Sequence, residues 1–582
     1  MPTLEWIGKD KVVNHHQQVP YRVLEEKYTY NAEKSDNMII RGDNLEALKA
    51  LLPKYEGKIK CIYIDPPYNT GEEGWVYNDN VNDPKIKKWL GEVVGKEGED
   101  LSRHDKWLCM MYPRLKLLQR LLSDDGTIFI SIDDNEQASL HHLCDEIFGS
   151  RNFIATFIWE KRVNRENRKV VSSRHDYVLC YAKNIVDERR PLKQLPMSGE
   201  ALDRYANPDN DPRGPWKSDP ATAQAGHATQ AQFYTLTVPN GKQHTLPAGR
   251  CWLYTEPVMM KAIADGRIWL GADGNNTPRK KTYLYEKDRG LTPETIWFAN
   301  DVSTNENAKN ELKSIFPETI PFTTPKPHEL IECIIQLAMG PNDIMLDSFA
   351  GSGSTAHAVL NANKADGGNR KFILIEMMDY AESVTSERTK RVISGFSQDQ
   401  EDVLFDQEIT IEDLAIGPAL LEKVKEIALT AKEEYSTVKK PKIENGRLKV
   451  IGIKKAKDQV AGLGGSFSFY DLGEPILLPN GNLNENVSAD KIREYVYYME
   501  TKESMVGNTN ANPYFMGNNR DTAYYFFYEK DTITTLDHEF LATIPERADS
   551  YIIYADLCTI PAEELAKYNI TFKKIPRDIA KL

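Results

Sequence analysis

Apolar side chains up to residue 183 come in two alternating rhythms: short unbroken runs and longer stretches at helical spacing. Residues 38–50 begin with one such run and then turn through Gly42-Asp43-Asn44, where Asp43 holds the N-cap position of a helix. Residues 58–64 form a second run, compatible with a buried parallel strand. Trp107, Leu108, Met111, Leu115, Leu118 and Leu122 then fall at helical spacing, and Asp124-Asp125-Gly126 is expected to close that helix. A strand at 127–132, a helix at 141–148 and an apolar strand at 176–181 follow. Strand, helix and strand in this order predict a parallel, doubly wound α/β sheet.

The rhythm breaks over 185–320, which is rich in Pro, Gly, Asn, Asp and Trp and reads as an inserted, loop-rich unit with short strands. It returns after Pro325-Lys326-Pro327. A helix at 328–339, a strand at 344–347, a glycine loop, a helix at 354–362, a strand at 371–376 and a helix at 379–394 follow. An acidic stretch, an amphipathic helix at 418–435, a basic hinge at 439–442 and strands near 467–471, 523–528 and 551–555 suggest a further small α/β unit. The expected boundaries are 1–185, 186–320, 321–398 and 399–582.

With 582 residues the chain is too long for one core. No run approaches ~18 apolar residues, so no membrane span is expected. The N-terminus lacks the apolar segment of a signal peptide. The seven cysteines are scattered, with no C-x-x-C pair, which argues against a zinc site or a disulfide framework and fits a reducing cytoplasm. No metal is expected. The formal charge of -13 speaks against nucleic-acid binding at first sight, but DNA senses only the local field. Basic stretches exist at 161–169 and 278–281.

Two motifs carry chemistry. Asp347-Ser348-Phe349-Ala350-Gly351-Ser352-Gly353 follows a strand and opens a helix, which is how nucleotide-like cofactors are cradled. An F-x-G-x-G string alone arises in about one chain in ten by composition. Glu376, ending the next strand, strengthens it, because an acid there can accept from ribose hydroxyls. No G-K-[ST] follows, which excludes a phosphate loop of the Walker kind. Asp65-Pro66-Pro67-Tyr68 is rarer, on the order of one chain in a hundred. The Asp65 carboxylate and the Pro66 carbonyl can accept both hydrogens of an exocyclic aromatic amine, freeing its lone pair. The prolines fix the backbone in advance, and Tyr68 offers a ring face to a base that has left the duplex.

These motifs, with the D-P-P-Y strand ahead of the glycine loop, resemble the circularly permuted β-class of DNA amino-methyltransferases. Gly42-Asp43-Asn44-Leu45, Ser131-Ile132-Asp133-Asp134-Asn135-Glu136, His175-Asp176-Tyr177, Thr324-Pro325-Lys326-Pro327 and residues 571–578 resemble its Mod members, the modification subunits of type III restriction systems. The resemblance implies a Rossmann-like methyltransferase sheet with an inserted target-recognition domain and a C-terminal α/β domain serving dimerisation or partner docking. It implies S-adenosyl-L-methionine as methyl donor and adenine N6 in duplex DNA as acceptor. Asp65, Pro66, Pro67 and Tyr68 would bind the flipped base. Asp347, Phe349, Gly351, Gly353, Glu376, Lys326 and Asp43 would hold the cofactor, with Glu376 on its ribose and Lys326 towards its carboxylate. Aspartate before Pro-Pro-Tyr goes with adenine in this family.

For DNA contact the candidates are Lys161, Arg162, Arg165 and Arg168 on the backbone, and Arg204, Arg213, Arg250, Arg279 and Lys281 in the insert. Each alone reads equally as a solvated or salt-bridged surface residue. A homodimer and a nuclease-helicase (Res) partner are expected from the family. Cytosine-N4 or RNA methylation by the same fold remains open, as does a DNA-specificity subunit that mainly recruits a nuclease. The lack of a Pro-Cys string argues against cytosine C5 methylation.

Overall fold

In the computed structural model the described residues are 3–70, 103–166, 170–185, 191–197, 199–286, 290–317, 321–397, 400–408, 417–431, 435, 437–444, 447–454, 459–505, 512–545 and 547–577. They divide into two compact units, residues 193–293 and the rest.

The larger unit is built on a ten-stranded sheet. Its strands are β1 (Arg22–Tyr30), β2 (Met38–Arg41), β3 (Ile59–Ile64), β4 (Leu122–Ile132), β5 (Phe153–Glu160), β6 (His175–Ala182), β7 (Ile296–Trp297), β8 (Ile344–Asp347), β9 (Lys371–Glu376) and β10 (Phe467–Pro475). Their order is β1-β10-β2-β9-β8-β3-β4-β6-β5-β7. From β10 to β4 all neighbours run parallel. The central strands are buried on both faces, as their unbroken apolar runs predict. Helices α1 (Asn44–Tyr55), α2 (Arg103–Leu121), α3 (Asn305–Ile315), α4 (His328–Ala338), α5 (Ser354–Asp366), α6 (Glu387–Ser394) and α7 (Ala489–Thr501) belong to the same unit. Among the described residues no helix is long and apolar enough to cross a membrane.

Two differences from the sequence reading follow from long-range pairing. β6 runs antiparallel to β4 and β5, so the sheet is mixed. The expected boundary at 398/399 does not coincide with a break in the sheet, because β10 inserts between β1 and β2. Phe467 and Phe469 are buried there, and the Phe469 ring stacks on Tyr28 at 5.3 Å. Further on, Phe515–Asn519, Thr522–Phe526, Ser550–Ala555 and Ile570–Lys574 make a separate four-stranded sheet.

Residues 193–293 form a loop-rich unit shorter than the 186–320 expected, because β7 and α3 belong to the larger unit. Their core is small, with Leu236, Val238, Trp252, Met259 and Ile268 buried together, and their sheets have two or three short strands.

Candidate functional site

The parallel strands deliver their last residues to one edge of the sheet, where open α/β folds bind ligands. β3 ends at Ile64, so Asp65 and the two prolines begin there. The turn is held from three sides. Trp107 Nε1 of α2 donates to the Pro67 carbonyl at 2.7 Å. Asn69, in the left-handed region at φ 59, donates from Nδ2 to the buried carboxylate of Glu136 at 2.5 Å. His104 Nδ1 lies 2.7 Å from the same oxygen. The proline geometry is therefore fixed before any ligand arrives.

The neighbouring strand β8 ends at Asp347, two register steps past its Met345–Cys61 pairing with β3. Asp347 ties its own loop: Phe349 N donates to Oδ1 at 3.0 Å and Thr355 Oγ1 to Oδ2 at 2.6 Å. Glu376, ending β9, accepts from Gly351 N at 2.8 Å and from Met378 N at 3.0 Å. Burial pushes both acids up to about 7, against those donors. Gly351 (φ 52) and Gly353 (φ 81) occupy left-handed conformations. A Cβ at Gly353 would lie 3.0 Å from the Thr385 carbonyl oxygen, and one at Gly351 3.2 Å from Phe322. Only glycine lets the loop fold this tightly.

Lys326 joins the two motifs. Its ammonium donates to both oxygens of Asp65 at 2.7 and 2.6 Å and lies 4.9 Å from the centre of the Tyr68 ring. Its carbonyl accepts from Ser354 Oγ, at the start of α5, at 2.7 Å. One cavity of about 460 Å³ is lined by Asp65, Pro66, Tyr68 and Lys326 together with Asp347, Phe349 and Gly351. Gly353, one turn further, is the N-cap of α5.

The same cavity holds residues that were not expected there. Asp176, Asp133, Asn135, Asn305 and Phe322 line it. Lys161, expected on the DNA backbone, also lines it and donates to buried Asp176 at 2.6 Å. Burial pushes the Asp176 carboxyl up to about 6 despite that ion pair. Because β6 is antiparallel, its first residues, rather than its last, reach the ligand edge. An acid opening an apolar strand was the available signal.

Behind the glycine loop, fully buried Arg388 donates to Ser354 Oγ at 2.8 Å, Ser352 Oγ at 3.1 Å and Glu311 Oε2 at 2.9 Å. Ligand atoms of Glu311, His328 and His357 converge within 4.8 Å, but this guanidinium, 3.1 Å from His357 Nδ1, already supplies the cation. Asp43 caps α1, accepting from Leu45 N at 2.8 Å, and does not line the cavity. Its neighbour Asn44 donates to the Ser348 carbonyl at 3.1 Å, tying the Gly-Asp-Asn string to the glycine loop.

The DNA candidates separate by burial. Arg162 and Arg165 are exposed, Arg162 lying 3.2 Å from Glu166; Arg168 lies outside the described residues. In the 193–293 unit Arg204 is exposed. Arg279 donates to Ser218, and Arg250 to Thr222. Two expectations are corrected there. Lys281 is 5% exposed and lies between Asp209 and Asp211. Arg213 places its fork on Asp211 at 2.8 and 2.7 Å and donates to the Asp265 carbonyl at 2.9 Å. Their donors are taken up in the unit's own framework.

Comparison with known proteins gives the same picture of the larger unit. A family model described as DNA methylase matches residues 59–387. The StyLTI Mod subunit of a type III restriction-modification enzyme from Salmonella typhimurium is 36% identical over 391 residues, covering 64% of this chain and 57% of that protein. The EcoP15I Mod subunit of Escherichia coli is 32% identical over 427 residues, 64% of each chain. The type II methyltransferase M.KpnI of Klebsiella pneumoniae is 32% identical over 368 residues, 59% of this chain and 81% of that one. The chain thus spans less than two thirds of the two Mod subunits.

Proposed function

This chain belongs to the DNA methylase family, and from that premise we propose that it methylates adenine N6 in a base flipped out of duplex DNA, as the modification subunit of a type III restriction-modification system. The observation that carries the reading is the single cavity into which the Asp65 turn and the glycine loop both open.

S-adenosyl-L-methionine, when bound, supplies an electrophilic methyl group. The cradle fits such a group, since Asp347, Phe349, Ala350 and Gly351 line the same cavity as Asp65, Pro66 and Tyr68. Asp347, Phe349, Gly351, Gly353 and Glu376 would hold it. Glu376 already spends a lone pair of each oxygen on the loop backbone, so it shapes the loop and keeps its remaining lone pairs for ribose hydroxyls. On the acceptor side the Pro67 carbonyl is engaged by Trp107. The amine hydrogens therefore go to the Asp65 carboxylate and the Pro66 carbonyl, and the nitrogen lone pair is released for attack. Tyr68 stacks on the base. The Asp65 carboxylate, freed from Lys326, accepts the proton that the methylated nitrogen loses.

Residues 193–293 would read the target sequence, with Arg204 and Arg279 at base edges and Arg162 and Arg165 on phosphates. The C-terminal segment would serve dimerisation and docking of a nuclease-helicase subunit. Methyl transfer to mixed-sequence duplex DNA tests the reading; a protein that binds the cofactor yet transfers nothing to DNA, alone or with such a partner, contradicts it.

A further inference from the structure

A second cavity, of about 780 Å³, shares no lining residue with the catalytic one. It lies in the larger unit, where the short helix His15–Gln18, β1, α1 and α2 meet α7 and the 475–481 loop. Four of its lining side chains are cationic, Arg22, Lys49, Arg120 and Lys502, and none is a carboxylate. In a chain of formal charge -13 such a lining is against composition.

The charges around it do not balance. Arg22 is matched by Glu46 at 2.9 Å. The other three share one acid, Glu56, whose carboxylate accepts from Arg120 Nε at 2.8 Å and from the Tyr498 hydroxyl. Lys49 is 3% exposed. It donates to the carbonyls of His16 at 2.8 Å and Gln17 at 3.2 Å, capping the short helix, and forms no ion pair with a described carboxylate. Burial, with Arg120 and Lys502 adding to it, pushes its ammonium down to about 8. Lys502 closes α7 in the left-handed region at φ 60, where glycine is the usual residue, and its ammonium lies 5.1 Å from the Tyr498 ring. The capping role accounts for two of Lys49's N–H bonds. It does not neutralise the buried Lys49 charge, which costs free energy unless an anion joins it, and the exposed Lys502 lines the same cavity as a second, solvated cation without a described carboxylate partner of its own.

We propose that this cavity binds a small phosphate-bearing ligand of the nucleotide class. Two excess charges match one dianionic phosphate ester held between Lys49 and Lys502. Beyond Gln17 and Gln18, the rest of the wall is apolar and aromatic. Tyr21 and Tyr495 stand 4.8 Å apart, and Leu477, Leu478 and Met499 complete it. The two rings pack on one another at 56°, so a planar body would lie against this aromatic wall and not between them. A DNA backbone offers the same phosphate chemistry but does not reach an ammonium buried this deeply. Occupancy would tie α7 to α1 and so fasten the C-terminal segment to the sheet.

The test is calorimetric titration of the full chain with inorganic phosphate, adenosine monophosphate and adenosine, with and without S-adenosylhomocysteine. Phosphate and adenosine monophosphate are expected to bind at one site per chain irrespective of S-adenosylhomocysteine, and adenosine not to bind. Lys502→Ala, an exposed change, should weaken adenosine monophosphate roughly tenfold. Lys49→Met should abolish binding, and the exposed variant decides the matter if that one fails to fold. The proposal is overturned if neither phosphate probe binds at millimolar concentration or if Lys502→Ala binds like wild type. Displacement of the nucleotide by S-adenosylhomocysteine would also overturn it, by placing the ligand in the catalytic cavity. Displacement by duplex DNA would overturn it by assigning the cations to the DNA backbone.

Discussion

Both carboxylate oxygens of Asp65 accept from the ammonium of Lys326, at 2.7 and 2.6 Å, and the same ammonium covers the ring of Tyr68. The acceptor and the stacking face expected to receive the base are thus both covered by one side chain, whose backbone is anchored to the glycine loop through Ser354. Lys326 must leave Asp65 before a base can enter. Once it has left, its ammonium is free to reach the cofactor carboxylate, so Lys326→Met should keep the fold and lower methyl transfer about 10- to 100-fold at sub-saturating cofactor, the worth of a charge-assisted hydrogen bond. Initial rates beside a melting curve check this; a wild-type rate would remove Lys326 from the mechanism.

Trp107 reaches the chemistry only through the Pro67 carbonyl. Trp107→Phe keeps most of the ring and deletes the donor. It should cost about 1–2 kcal/mol of stability, lower kcat, and leave cofactor affinity nearly unchanged. Denaturant unfolding and cofactor titration separate these effects. A loss confined to cofactor binding would show that the turn is not what Trp107 positions.

Asp347 and Glu376 are carboxyls raised to about 7 in the fold, against about 4 unfolded. Between these values the folded state binds more protons than the unfolded state. Their contribution to stability is therefore present at low pH and is lost as pH rises from about 4 through 7. Glu376→Gln removes one of the two titrations. Its stability relative to wild type should climb between pH 5 and pH 7.5, read from paired unfolding curves. A pH-independent difference would contradict the burial argument.

Lys281 and Arg204 carry the same charge in the 193–293 unit and should behave oppositely. Lys281→Ala leaves Asp209 without its cation and Asp211 with Arg213 alone and should destabilise that unit by about 3 kcal/mol. Arg204→Ala should leave melting unchanged, weaken specific DNA binding by about 1–3 kcal/mol and relax the sequence preference. Filter binding at several salt concentrations distinguishes them.

What the sequence made legible was local. Asp65-Pro66-Pro67-Tyr68 and the glycine loop are set by residues that restrict their own backbones, and the Asp43 cap is a two-residue interaction. What stayed hidden depended on distant partners. β10 pairs with β1 and β2 across more than 400 residues of chain, so nothing near residue 467 marks it as a central strand. Lys161 heads a basic run that reads as a solvated loop, yet it directly follows the end of β5 at the ligand edge, beside the reversed strand that brings Asp176. Lys281 looked like a DNA contact because its acidic partner Asp209 lies 72 residues away. Charge in a sequence shows that a side chain needs a partner, but not whether the partner is DNA or the protein itself.

The most direct measurement is methyl transfer from labelled S-adenosyl-L-methionine to duplex DNA, with the product nucleosides separated and Asp65→Ala run beside the wild type. The account predicts label in N6-methyladenine from the wild type, and none from Asp65→Ala although that variant still binds the cofactor. Label in N4-methylcytosine, or transfer that survives Asp65→Ala, would contradict it.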